Sequence, residues 1–425
     1  MKIVLALCSI FLSQIVLANP TINTIADNKN YLHIYSNTLP IVDINLTIKR
    51  GSANDGDMPG LTNLMLNVLM SSDIDNKKLV SYFENLGAKL SYSVGKESLS
   101  LTIRSVSNLN QISELTKLLN KALMTNYIDS SVFNLEKEKV LTAISESKKR
   151  PGSLLDLSIS ENLFLDTALA HQPYGRKESV TKIQIEDVLL HRDRMLNLND
   201  VEINIVGDIQ ENDSRKIINA LTNRFVTKEN INSDDIYMNK AIHHTEFDSS
   251  QSHIAVIIPS ISRTHLDYHN LLVANYIFGG SGFGSWLMDE IRQKRGLSYS
   301  VFSYLSTYQN KGYMKISLQT KNENTNLAKK IIYEQINRLR LFDVEESQIE
   351  IAKTSILRSF EMRTDTNKKL LNLITAINNL DLNLNYFEDY MEKVKNVSKS
   401  SIKAALNNSM DFDKISVFTV GKTIE

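Results

Sequence analysis

The chain has 425 residues, 42% of them hydrophobic and 23% charged, with 48 Lys plus Arg against 48 Asp plus Glu. Such a length and composition predict a soluble globular protein of two or three domains, each with enough apolar material for a core. A formal net charge of zero argues against a nucleic-acid or membrane-surface partner held by bulk charge.

In chain order, the first segment reads as a signal peptide over 1–18. Lys2 gives a positive start, and an apolar run from Ile3 to Leu17 follows, interrupted by Ser9, Ser13 and Gln14. Val16 and Ala18 stand where a signal peptidase requires small residues, so cleavage leaves Asn19-Pro20 as the new start. The alternative is a membrane anchor, for which the run is short and polar. Secretion, most readily into a bacterial periplasm, is the expected location. Cys8 is the only cysteine and leaves with this segment, so no disulfide, thiolate metal site or thiol nucleophile is expected.

The mature region carries an internal repeat at a spacing of about 210 residues. The strand pattern Ile41–Ile48 has a counterpart at His253–Ile258. The hairpin Lys89–Val94 with Ser98–Ile103 corresponds to Leu297–Phe302 with Gly312–Leu318. Closing strands are expected at Val201–Val206 and Lys414–Val420. Apolar residues at three- and four-residue intervals predict helices over Asn108–Met124, Ser131–Lys149, Asn324–Leu341 and Glu345–Arg363. The reading is a duplicated α+β unit, each copy an antiparallel sheet with one face covered by helices. The expected organisation is 19–225 for the first domain, 226–246 for a polar link and 247–425 for the second domain.

The segment Asp57–Met70 carries a Gly-Leu pair and then an apolar helix, with the frame Asn63-Leu64-Met65-Leu66-Asn67. It resembles the first active-site helix of the insulinase/pitrilysin family of zinc peptidases, which reads H-x-x-E-H there. In that motif two His one helical turn apart grip zinc, and the Glu acts as general base on the metal-bound water. A later Glu completes the ligand set, in a segment that Lys139–Ile144 resembles. The degenerate positions here are therefore Asn63, Leu66, Asn67 and Ala143. Amides are poor zinc ligands, and Leu and Ala can neither bind a metal nor take a proton. Glu146 lies one turn beyond Ala143 but would have no His partners. The metal expectation for this chain is none.

Other histidines give little. His265 and His269 have i, i+4 ligand spacing, but the other ligands of a usual site are missing, so a solvated helix start is expected. His243 and His244 are read as exposed loop. His171 belongs to a stretch similar to the family's H-P-Y-G-R, with one residue inserted, and is read as a structural turn.

The second half carries the most specific match. Phe278–Val301, with Gly279, Gly280, Gly282, Arg292, Gly296 and Tyr299, resembles the family's glycine-rich signature. The lack of a G-K-[ST] sequence makes a phosphate loop improbable. The glycines alone indicate a tight turn into a helix capped by Ser281 or Ser285. The resemblance implies that Arg292 and Tyr299 reach into an active site shared between halves. A Tyr hydroxyl can donate to a developing oxyanion, and an Arg can grip a substrate carbonyl. Gly279, Gly280 and Gly282 are the implied substrate-binding glycines. Arg295, close by, is read as a helix-end charge or ion-pair partner.

The resemblance covers residue 25 to the end. It implies the non-catalytic half of a two-chain peptidase clamshell, with zinc and H-x-x-E-H in a homologous partner chain and peptide substrates bound as an added strand. An inert scaffold or peptide-binding protein of the same fold is the alternative. An autonomous zinc peptidase is disfavoured by the missing ligands.

Overall fold

The computed structural model describes residues 21–25, 28–227 and 236–423. The expected signal peptide lies outside the described residues, as does the middle of the expected link.

In the first half β1 (Asn23–Ile25), β2 (Asn28–Tyr35) and β3 (Ile41–Ile48) lead to α1 (Leu61–Ser71). A two-strand ribbon, β4 (Asp73–Ile74) and β5 (Lys77–Lys78), precedes α2 (Leu79–Asn85). The hairpin β6 (Lys89–Val94) and β7 (Leu99–Val106) follows. Five helices come next: α3 (Leu109–Leu123), α4 (Ser130–Ser147), α5 (Pro151–Leu163), α6 (Lys177–Lys182) and α7 (Ile185–Met195). β8 (Val201–Gly207) and α8 (Glu211–Thr222) complete the half. The sheet order is β1-β2-β8-β3-β7-β6, with β2 and β8 parallel and the other pairs antiparallel.

The second half repeats this pattern with β9 (Ile242–Glu246), β10 (Gln251–Ser260), α9 (Tyr268–Asn275), β11 (Val301–Thr307) and β12 (Gly312–Lys321). The helices α10 (Thr325–Leu341), α11 (Glu346–Glu361), α12 (Asn367–Asn379), α13 (Tyr386–Lys395) and α14 (Lys399–Ser409) precede the last strand, β13 (Ser416–Gly421). The order is β11-β12-β10-β13-β9, again with one parallel pair, β9 with β13. The two sheets correspond strand for strand, β2-β8-β3-β7-β6 against β9-β13-β10-β12-β11. The architecture is the expected α+β duplication.

Several boundaries differ from expectation. His243 and His244 are exposed but belong to β9, because that edge pairs with β13 through Phe418 and Thr419. The last residues given to the link are thus sheet. Leu297–Ser300 is not strand: Gly296 at φ +62 closes the preceding helix, and the chain extends only from Val301. Lys414 ends a short 3-10 turn before β13.

The larger difference concerns the faces of the sheets. In β3, Val42, Ile44, Leu46 and Ile48 point into the core under the first-half helices, as alternation predicts. Asp43, Asn45 and Thr47 alternate with them and are buried too. α12, from the second half, lies across β8, β3 and β2 and covers them. Its Asn378 donates to Asn204 Oδ1 at 3.0 Å, and Thr375 to Asn45 Oδ1 at 3.3 Å. Leu32, Ile34 and Val206 join the second-half core beneath the same helix. The exchange is reciprocal. α5, from the first half, packs on β13, β10 and β9. Leu155, Ile159 and Leu163 of α5 meet Ala255, Ile257, Phe418 and Val420. The central strands of each sheet are therefore covered on both faces, the second face by a helix lent from the other half.

Polar ties reinforce the exchange. Lys49 bridges Glu202 at 2.6 Å and Asp381, beyond α12, at 2.8 Å. Burial lifts the Glu202 carboxyl to about 7 against the pull of Lys49. Lys315 on β12 pairs with Asp156 of α5 at 2.7 Å.

Leu163 has no accessible surface. Leu163→Ala should cost about 2–5 kcal/mol in a urea titration. It should also lower amide protection in β10 and β13, far along the sequence, and a loss confined to the first half would contradict the shared core.

Candidate functional site

The helix that carries Asn63, Leu66 and Asn67 is firmly anchored at its start. α1 starts from Gly60, whose φ of 101° only glycine takes readily. Asp55 accepts from Gly60 N at 2.7 Å, Thr62 N at 2.8 Å and Thr62 Oγ1 at 2.5 Å, which satisfies free amides of the first turn. His191 of α7 places Nε2 2.8 Å from Thr62 Oγ1. The turn containing His171 packs beneath this point. His171 is buried with Nδ1 against Gln172 O at 3.0 Å, and Ser179 donates to Pro59 O at 2.5 Å. The turn after His171 thus holds the entry to α1, with Gly175 packed against Pro59 and Gly60.

Asn63 and Asn67 stand one turn apart on the half-exposed side of α1. α4 packs against α1 and presents Ala143 at its surface, whereas Leu66 is turned into the core. The scaffold for a two-helix metal site is present, but these four side chains do not fit zinc. Among the described residues no group of three His, Cys, Asp or Glu is placed to hold a metal. Glu146 is exposed and paired with Lys149 at 2.6 Å. On α4 the carboxylate nearer α1 is Glu136, which accepts from Ser71 at 2.9 Å and Lys139 at 2.7 Å.

Asp55, Thr62 and His191 were not legible as a group, because they lie far apart in sequence. All three are buried, Thr62 completely, so they form a brace and not a nucleophile. Burial, then Arg194, holds the His191 imidazole down at about 4, while burial lifts Asp55 to about 6. The two have opposite linkage. Between pH 6.5 and 4 the unfolded chain protonates His191 and the folded chain does not, so that group removes stability as pH falls. Asp55 takes its proton earlier in the folded state and acts the other way. His191→Gln should therefore gain stability relative to the parent as pH falls through this window, measured by denaturant titration at several pH values.

The second cluster is built on glycines and two π-helical turns, Tyr276–Gly280 and Met288–Gln293. Such turns occur frequently at functional sites. Gly279 is buried, and a Cβ there would lie 2.8 Å from Ser303 N. This glycine lets the loop approach β11, so it is a packing position. Gly280 and Gly282 reach the surface, and Gly282 has φ +64. Asn275 and Ser303 clamp the loop through a 2.7 Å bond between side chains. Ser285, not Ser281, caps the next helical turn by accepting from Met288 N at 3.3 Å.

Arg292 closes that turn with its guanidinium 4.6 Å from the Phe283 ring centroid. It has no ion pair among the described residues. Its neighbours do: Lys294 pairs with Asp289 and Glu290 at 2.8 and 2.6 Å, and Arg295 pairs with Glu290 at 2.5 Å. Tyr299, on the irregular stretch before β11, is 86% exposed. Phe283, 65% exposed, is the platform on which Arg292 rests. The platform was missed in sequence, where a Phe between glycines looks like loop filler.

These features define a two-lobed, pitrilysin-like α+β fold in which Asn63, Leu66, Asn67 and Ala143 stand at the positions expected for metal chemistry. Residues 182–356 match the family model described as Peptidase M16 inactive domain. The chain is thus similar to insulinase/pitrilysin-type proteins, and Asn63, Leu66 and Asn67 stand where their H-x-x-E-H motif would fall. A crystal structure of a peptidase M16 inactive domain from Pseudomonas fluorescens superposes with a TM-score of 0.88 at 25% identity, covering 96% of this chain and 99% of that one. A Helicobacter pylori protein described as non-peptidase homolog YmxG is 25% identical over 378 residues, 86% of this chain and 85% of its own. A Rickettsia felis protein described as an uncharacterized zinc protease is 25% identical over 345 residues, 77% of this chain and 80% of its own.

Proposed function

We propose that this chain is the non-catalytic subunit of a secreted, periplasmic two-chain zinc peptidase. A homologous partner supplies H-x-x-E-H and the zinc, and this chain supplies Arg292, Tyr299 and half of the chamber wall. It holds no cofactor of its own. The observation that carries the reading is the contrast between the two clusters. The metal positions are filled by Asn63, Leu66, Asn67 and Ala143. Arg292, by contrast, has no ion pair among the described residues and lies over Phe283, whereas its neighbours Lys294 and Arg295 are paired, and Tyr299 is exposed. A half-buried guanidinium set against an aromatic ring, with no ion pair among the described residues, is pre-positioned for a carbonyl supplied from outside.

In this division of labour Tyr299 donates a hydrogen bond to the oxygen on which negative charge develops during attack on a peptide. Arg292 binds a neighbouring backbone carbonyl and stays charged at any working pH. Gly280 and Gly282 leave room for the peptide backbone to approach. No described helix is long and apolar enough to cross a membrane.

The test is to recover the tagged, secreted protein with its partner and measure zinc and peptide turnover in the complex and in the isolated chain. Zinc and turnover are expected in the complex only. Tyr299→Phe should then lower kcat on the order of 10²-fold, the usual loss for one oxyanion donor. Arg292→Ala should also lower turnover, and Phe283→Ala less, by freeing Arg292 from its ring. All three variants should still assemble. Unchanged turnover in Arg292→Ala and Tyr299→Phe would remove their roles, and a stable complex without turnover would make the chain a scaffold.

A further inference from the structure

A cavity of about 240 Å³ opens between the loop leaving β10 and the loop joining α12 to α13, away from both clusters above. Leu382 and the rings of Tyr268 and Tyr386 form much of its apolar wall. Inside lies Arg263. Its Nη2 donates to Tyr386 Oη at 2.7 Å, and its Nη1 to Tyr268 Oη at 3.4 Å. Its Nε is buried with no acceptor, and no carboxylate pairs with it among the described residues. A guanidinium withdrawn from water and held only by neutral phenol oxygens lacks its counter-charge.

A second observation points into the same space. His269 is 9% exposed and sits edge-on between Tyr268 and Tyr390, with centroids 5.5 and 5.4 Å away. Its Nε2 is buried without a partner. Burial, then Lys393 and Arg263, keeps this imidazole neutral down to about pH 4. His265 precedes α9 and is exposed, so the i, i+4 spacing does not bring the two rings together as ligands. The expected solvated helix start is corrected accordingly: His265 is solvated, whereas His269 is buried and turned to the cavity.

We infer that this cavity binds a small organic monocarboxylate with an apolar body. The lining carries two cations, Arg263 and Lys393, against one carboxylate, Asp389, which leaves one positive charge to be matched. The Arg263 fork and the His269 Nε2 offer hydrogen bonds to a carboxylate, and the tyrosine rings and Leu382 suit a flat or aliphatic body. At about 30 Å³ for each water displaced, the volume corresponds to roughly eight waters, enough to admit a small aromatic acid such as benzoate. The inference does not depend on the proposed pairing with a peptidase subunit.

The experiment uses the isolated mature chain, titrated calorimetrically with benzoate, benzamide and inorganic phosphate. Saturable binding of benzoate is expected, with benzamide weaker by about tenfold or more, the loss associated with a charge-assisted hydrogen bond. Arg263→Gln should weaken benzoate by a similar factor, with far-UV circular dichroism to check the fold. Leu382→Trp, which leaves Arg263 in place and fills the cavity, should abolish binding even where Arg263→Gln does not fold. Equal affinity for benzamide, binding of phosphate without benzoate, or unchanged binding in Leu382→Trp would each overturn the assignment.

Discussion

Everything in this molecule depends on the reciprocal loan of two helices. A sheet buries one face against its own helices, but the other face must also leave water or remain polar. Here α5 closes the second sheet with an apolar seam, and α12 closes the first with a polar one. The difference is chemical. Ala255, Ile257, Phe418 and Val420 contribute burial in proportion to area. Asn45, Asn204, Thr375 and Asn378 instead form a network in which each side chain needs its partner. The first seam is permissive and the second is geometrically exacting.

Much of the fold was legible because strong periodicity dominates it. The helices α3, α4, α10 and α11 fall within two residues of the segments expected from their apolar spacing. The one-sided sheet was the error, and its cause lies in Asp43, Asn45, Thr47, Glu202 and Asn204. Polar residues alternating with apolar ones look like a solvent face, and nothing in local sequence says that a helix from beyond residue 366 will cover them. β9 was hidden similarly: Ile242–Glu246 contains two His and a Glu, and it is a strand because it pairs with β13.

The candidate site was legible only in part. The frame around Asn63 and Asn67 and the sequence from Gly279 to Tyr299 carried the resemblance, and the structure adds what a string cannot carry. It separates Arg292 from Lys294 and Arg295 by their ion pairs, gives Arg292 an aromatic seat on Phe283, and turns Gly279 inward. The brace of Asp55, Thr62 and His191 explains why α1 can outlive its chemistry. Its anchoring runs through Gly60 and Thr62, and the side chains of Asn63, Leu66 and Asn67 take no part in it.

The position of α12 has a consequence for biosynthesis. A chain emerging from a ribosome or an export channel presents the first sheet long before the residues that cover it. Until Asn367–Asn379 arrives, Asn45, Asn204 and Glu202 face water comfortably, which a hydrophobic seam in the same place would not. The apolar seam belongs to the second sheet, and its covering helix, α5, has already been made when that sheet forms. Only Leu32, Ile34 and Val206 add apolar surface to the face that waits for α12. The order of polar and apolar seams suits a long two-lobed protein that assembles from its N-terminus onward.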